Sequence, residues 1–569
     1  MMKKILGVLL LSASLILPNI ASAADTPDEQ WKPPKASAPD TQGFYVSESN
    51  LISTKGSSYL INYTTADGTS NGTLTNVAVC SSIDGPGCFF GGRTKYSAVI
   101  PMCATATDLD CISAVTAKDA SGNPLQVNSI GQYPTRRLQD FSANPSVNLP
   151  AGGGAALLDI PGATHPGGTN YLLKVTLTGF QEGAQAEKKF GAPQLESTFY
   201  AIKTVSGNFG DVYLDTNTAN YDTTNRVTGV DTERGDSKLL CVVKSLNECG
   251  LAYPMPEGFT FGYSLRLSRP IVGWLHGRMK SPAITLTQEG GGVENLTVAA
   301  ESIHVPSVST WVSNSSIPAE LSNYYGQNDW SGSATRYGNV PNFGGPPTAE
   351  EKSPTGLKTF AYQHVGALFN ESGMKEFLLW LPLLKDTAAA NPTMWTLSTM
   401  MNANESGDKI SQCLRQTNSL AGVVTTNATM YLDGPPTYIA SQGTLDYKVA
   451  STHFEPDGKT VFKGTYDLVM SSKVARCIYG FTSAPINATI SVTSESGEPN
   501  IATTVVSEKN GWLSLGAYNF TFSNPTVQVK LTQAAPAPAK ITPKKITCVK
   551  GKTAKVVTTA MCPAGFKKK

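Results

Sequence analysis

The chain has 569 residues, a net charge of +2 and 15 percent charged side chains, well below the roughly 25 percent of an average globular protein. With 52 glycines and 36 prolines, the composition favours β domains built of many short elements joined by turns. A chain of this length holds about three domains of roughly 100 to 200 residues, each able to bury its own core, which excludes size as a limit on stability.

The first element is Lys3 and Lys4, the apolar run Ile5 to Ile16, then Ala21-Ser22-Ala23. That order predicts a secretory signal peptide over 1–23 with cleavage before Ala24, and therefore export. The run is shorter than the roughly 20 residues of a membrane-spanning helix. "FLLWLPLL", Phe377 to Leu384, is the most apolar later stretch, and its length and Pro382 make it core rather than membrane span.

A Pro-rich leader, 24–43, reads as extended, and structure is predicted to begin near Phe44. An N-terminal β domain over 44–190 follows. Tyr59, Ile61 and Tyr63 alternate before a Gly/Asn/Asp turn, and Tyr171, Leu173, Val175 and Leu177 alternate again. A middle β domain over 191–310 contains "PAITLTQEGGGVENLTV", two strands around Gly290-Gly291-Gly292. Then come a Gly/Pro/Asn-rich loop region, 311–356, and a partly helical segment, 357–411, with Ser372 as N-cap before Met374, Phe377 and Trp380.

The C-terminal block, 412–532, shows the clearest alternation, at Ile486, Ala488, Ile490 and Val492 and again at Val527, Val529 and Leu531. Asn510-Gly511 predicts a hairpin turn before Trp512. These regular short strands predict a β-sandwich of immunoglobulin type. A Pro/Ala/Lys linker, 533–545, leads to a basic tail, 546–569, expected to form a small hairpin. The fold class expected is mainly β and multi-domain, with immunoglobulin-like β-sandwich domains, a small helical insertion and disulfides.

Ten cysteines in an exported chain read as disulfides. Cys80 and Cys88, Cys103 and Cys111, and Cys241 and Cys249 each enclose seven residues; Cys548 and Cys562 share the tail, leaving Cys413 and Cys477. Local pairing is the simplest of the connectivities that the count allows. Zinc would require Cys-x2–4-Cys spacing with nearby His, which the sequence lacks, and nothing points to a cofactor.

"AVIPMCATATDLDCISAV", "GWLHGRMKSPAITL", "GTYDLVMSSKVARCIYGFTSAPINATISV" and "FTFSNPTVQVKL" resemble segments of uncharacterised secreted actinobacterial multi-domain β proteins. The Cys548 to Lys569 tail is similar to their short basic two-cysteine endings. The resemblance covers about half the chain and implies export and domain organisation; it transfers no activity or catalytic residue.

Motifs with chemical content are sparse. "GTSNG", Gly68 to Gly72, has the spacing of a nucleophile elbow but lies between two strands, where it reads as a turn. "RGD", Arg234 to Asp236, is short enough to arise by chance, and "DTNTANYD", Asp215 to Asp222, lacks the Gly and distal Glu of an EF-hand loop. His165, His276, His304, His364 and His453 are widely separated. "GWLHGR" is the strongest internal candidate, because strand periodicity projects Trp274, His276 and Arg278 from one face, where they could stack on a sugar or clamp a carboxylate. The alternative is a core tryptophan with a solvated arginine.

The tail contrasts in charge with the rest. Lys540 to Lys569 holds nine lysines, including Lys550, Lys552, Lys555, Lys567, Lys568 and Lys569, and no acid, so the remainder is net negative. Such segregation points to a polyanion: an anionic cell-envelope polymer, acidic lipid heads or nucleic acid. Phe566 is its only aromatic, which weighs against base stacking and hence nucleic acid. Three function classes follow. A surface-associated structural or interaction protein without a catalytic site leads. A carbohydrate-binding protein using aromatics such as those in Tyr324 to Trp330 comes second, and a secreted hydrolase acting on glycan third.

Overall fold

The computed structural model describes residues 27–34, 41–48, 58–65, 74–83, 93–137, 139–181, 189–207, 241–245, 247–327, 362–365, 369–400, 412–413, 419–493, 499–500, 503–522, 526–533, 545–558 and 561–569. The signal segment, "GTSNG", "DTNTANYD", "RGD" and most of the Gly/Pro/Asn-rich region lie outside them. The protein is mainly β.

A single sheet draws strands from the N-terminal, middle and C-terminal blocks. Its order is Thr503–Lys509, Trp512–Thr521, Lys463–Ser471, Leu420–Thr426, Gly273–Arg278, Thr396–Thr399, Gln194–Ser206, Asn170–Gln181, Arg93–Val99, Tyr59–Thr65 and Leu74–Val79. Gly273–Arg278 runs parallel to Leu420–Thr426 and antiparallel to Thr396–Thr399, which places it mid-sheet. A central strand carries core on both faces, and the two faces of this one feed two different cores.

The first core lies between the long sheet and a five-stranded sheet of order Lys280–Gln288, Glu294–Glu301, Thr260–Leu267, Cys111–Lys118 and Pro124–Leu125. Leu275, Phe199, Tyr171 and Trp395 meet Leu265, Ile284 and Val298 there. The predicted Gly290–Gly292 hairpin joins two of its strands. The second core is a sandwich between the C-terminal strands of the long sheet and a six-stranded sheet. Leu468, Leu515 and Tyr447 pack there with Ile490, Val527 and Val529, which belong to the alternating set read from the sequence. Asn510 and Gly511 both have positive φ, 52° and 79°, as a two-residue hairpin turn requires.

A third, smaller cluster packs strand Thr41–Val46 under the helices Ala319–Gln327 and Glu371–Trp380, with Phe44 stacked on Trp380 at 5.3 Å. The cap of the second helix differs from expectation. Asn370, not Ser372, accepts the Gly373 N–H, at 2.9 Å, while the Ser372 hydroxyl lies 2.9 Å from that of Tyr324. The leader is also more ordered than an extended strap. Asp28–Gln30 forms a 3-10 turn, and Glu29 accepts from the Thr393 N–H at 2.8 Å and its hydroxyl at 2.7 Å.

Four disulfides join the pairs expected from spacing, with Cα separations of 5.1 Å for Cys103–Cys111, 5.3 Å for Cys241–Cys249, 5.8 Å for Cys413–Cys477 and 5.6 Å for Cys548–Cys562. Cys80 is disulfide-bonded, and Cys88 lies outside the described residues. No helix among the described residues is long and apolar enough to cross a membrane.

Candidate functional site

Trp274, His276 and Arg278 share a face, as period two dictates, but that face is interior: they are 1, 6 and 0 percent exposed. Trp274 lies across Gly422, its register partner, where a Cβ would sit 2.5 Å from the indole ring. His276 stacks on Tyr431 at 3.8 Å, and the Arg278 guanidinium sits 4.5 Å from the centroid of the same ring. Arg278 donates from Nε to Glu48 at 2.6 Å and from Nη1 to the carbonyls of Thr426 and Ala428 at 2.8 and 2.7 Å.

This corrects the reading of the trio as an open sugar- or carboxylate-binding plate. The strand is central, so both of its faces are covered, and the guanidinium is neutralised from within by Glu48. Burial and the neighbouring Arg278 charge push the His276 imidazole well below its ordinary pKa, so it stays neutral. The aromatic candidates of Tyr324 to Trp330 fare no better where described. Tyr324 is 6 percent exposed and donates to the Ser372 carbonyl at 3.0 Å.

A second polar cluster, not anticipated from sequence, lies where the five-stranded sheet meets the long sheet. Asp467, 4 percent exposed on strand Lys463–Ser471, accepts from the Ser281 N–H at 3.1 Å, from the Thr425 hydroxyl at 3.3 Å and from the Tyr518 hydroxyl. Gly516 faces Asp467 in register, and a Cβ there would come within 2.5 Å of the Tyr518 hydroxyl, so glycine lets that ring fold back to the carboxylate. Ser281 sits at a break in strand register with φ of 52°, a region L-residues seldom occupy.

Burial pushes the Asp467 carboxyl up to about 6 against the hydrogen bonds that favour its charge, and burial likewise raises Tyr518. The exposed Ser281 hydroxyl is 3.3 Å from that of Tyr518. A serine nucleophile needs a base to take its proton, and a phenol held protonated is not one. The cluster therefore pins the five-stranded sheet to the long sheet, with a carboxyl that titrates in the acid range. The sequence signal for it is Asp467 itself, a lone acid inside the apolar run "YDLVM".

The tail forms a three-stranded sheet, with Ile546–Lys550 between Thr553–Val557 and Lys567–Lys568. Cys548 is fully buried at its centre. Directly opposed residues share a face, so Lys555 and Lys568, both paired with Cys548, project with Lys550 from one side. Lys567, paired with Val549, projects from the other, and Lys552 occupies the turn. Lys550, Lys552, Lys555, Lys567, Lys568 and Lys569 are all exposed.

No protein-family model and no curated protein matches this chain.

Proposed function

We propose that the protein is an exported, surface-associated structural or interaction protein whose β body is held at the cell envelope by the basic tail gripping an anionic polymer. The exposure of every tail lysine named above, on a scaffold closed by the Cys548–Cys562 bridge, supports this reading. Paired internal acids would have marked a structural salt-bridge role, yet Lys540 to Lys569 contains none. With so little apolar surface, the knob gains about 3 kcal/mol from the constraint of its disulfide loop, and its grip is electrostatic.

The test is truncation after Ala539 and binding of both forms to purified envelopes across a salt series. The full chain should bind at low salt and detach as the Debye length falls from about 10 Å at 0.1 M to about 3 Å at 1 M. Replacing Cys548 and Cys562 should weaken retention only in part, since the charge remains. Equal retention of the two forms at all salt concentrations overturns the proposal.

A further inference from the structure

The long sheet ends at strand Thr503–Lys509, which pairs on one side with Trp512–Thr521 and, among the described residues, with nothing on the other. The two-residue Asn510-Gly511 turn makes Lys509 and Trp512 a hydrogen-bonded pair, and the alternation of an antiparallel ladder follows from there. Ser507, Val505 and Thr503 turn their backbone groups inward. Glu508, Val506 and Thr504 turn theirs outward, to the open edge.

Edge strands are usually blunted by proline, a bulge or a central lysine. This one has no proline, keeps its register throughout and places its single lysine at the turn. It also shows Val505 and Val506 to solvent at 49 and 40 percent exposure. Val506 faces Leu515, a residue of the sandwich core, so it stands at the rim of that core.

We propose that this edge is the interface with a second copy of the chain, the two Thr503–Lys509 strands pairing antiparallel about a two-fold axis at Val506. The register is fixed by the outward groups: Val506 meets its own copy, and Thr504 meets Glu508. About six inter-chain hydrogen bonds form, all between outward-facing backbone groups. Charge agrees with this pairing. Glu508 faces a threonine and Lys509 faces Thr503, so no like charges oppose across the axis. The two Val506 side chains close the rim of both sandwich cores, and the two long sheets become one. This pairing is independent of the tail.

The experiment is analytical ultracentrifugation of the whole protein with its disulfides intact, together with Val506→Pro, Val506→Lys and single cysteine variants. Val506→Pro removes only an outward N–H and leaves the internal hairpin ladder complete. It should sediment as a monomer with unchanged circular dichroism, whereas the parent sediments as a dimer. Val506→Lys, placing two ammonium groups face to face, should also be a monomer. In the dimer, cysteines at 506 stand about 5.5 Å apart at Cα, within disulfide range, so Val506→Cys should cross-link under mild oxidation while Val505→Cys and Ser507→Cys do not. The chain truncated after Ala539 should dimerise unchanged, which separates this result from that of the tail. A parent monomeric at its highest soluble concentration, a dimer surviving in both folded Val506 variants, or stronger cross-linking at 505 or 507 than at 506 overturns the proposal.

Discussion

Replacing Asp467 with asparagine isolates the titration of the pin between the five-stranded sheet and the long sheet. The Asp467 carboxyl moves from 3.8 to about 6 on folding because burial disfavours its charged form. Between those two values the native state holds a proton that the unfolded chain has released, so stability falls as pH rises through this window. Two pKa units correspond to about 3 kcal/mol, fully lost above the native value. The substituted side chain has no such cost: its amide oxygen can accept from the Ser281 N–H and the Thr425 hydroxyl while its NH2 donates to the Tyr518 hydroxyl oxygen, so it stands in for the protonated acid. The Asp467→Asn variant should therefore match the parent below about pH 4 and be more stable by about 3 kcal/mol above about pH 6.5. Urea unfolding from about pH 3.5 to 7.5, followed by tryptophan fluorescence, measures this as a difference in which all other carboxylates cancel. A difference that stays constant across the range would refute the reasoning, because the carboxyl would then titrate alike in both states.

Arg278→Met should cost about 3 kcal/mol, seen as a lower urea midpoint, because Glu48 is left without the cation that compensates its partial burial. Arg278→Lys should not restore it, since one ammonium cannot span Glu48 and the carbonyls of Thr426 and Ala428 as the planar fork does. Asn370→Ala should cost about 1 kcal/mol and Asn370→Ser much less, read by the same midpoint, because serine can still cap the Gly373 N–H. Replacing Cys413 and Cys477 with serine removes a loop constraint worth about 4 kcal/mol and should open new protease cuts between residues 414 and 426; an unchanged digest would show that the bridge does not hold this junction.

What the sequence makes legible is what neighbours in the chain decide. The tail scaffold, its 14-residue disulfide separation and the Asn510-Gly511 turn depend on residues within a few positions of one another, and each is present in the fold. The alternation of Ile486 to Val492 and Val527 to Leu531 likewise announces a buried face, because one covered side is enough to select apolar residues at period two.

Alternation cannot say whether the opposite side is covered too, and both polar clusters turn on that point. In "GWLHGR" the shared face of Trp274, His276 and Arg278 is readable, yet its polar members suggest solvent. Only the distant insertion of this strand between Thr396–Thr399 and Leu420–Thr426, and the arrival of Glu48 from 230 residues away, make an arginine tolerable inside. Asp467 is the same case on a strand nearby. Tyr466, Leu468 and Met470 mark one buried face, and Asp467 suggests that the other is wet. The five-stranded sheet arrives there instead and supplies the Ser281 N–H that keeps the acid hydrogen-bonded. Ser372 and Asn370 differ for a more local reason, since both can cap and the tertiary bond to Tyr324 occupies one of them. The outermost strand shows the limit from the other direction. The residues Thr503 to Lys509 predict a hairpin arm, but that this arm has no outer neighbour among the described residues is a property of sheet order, which no pattern within the strand itself can announce.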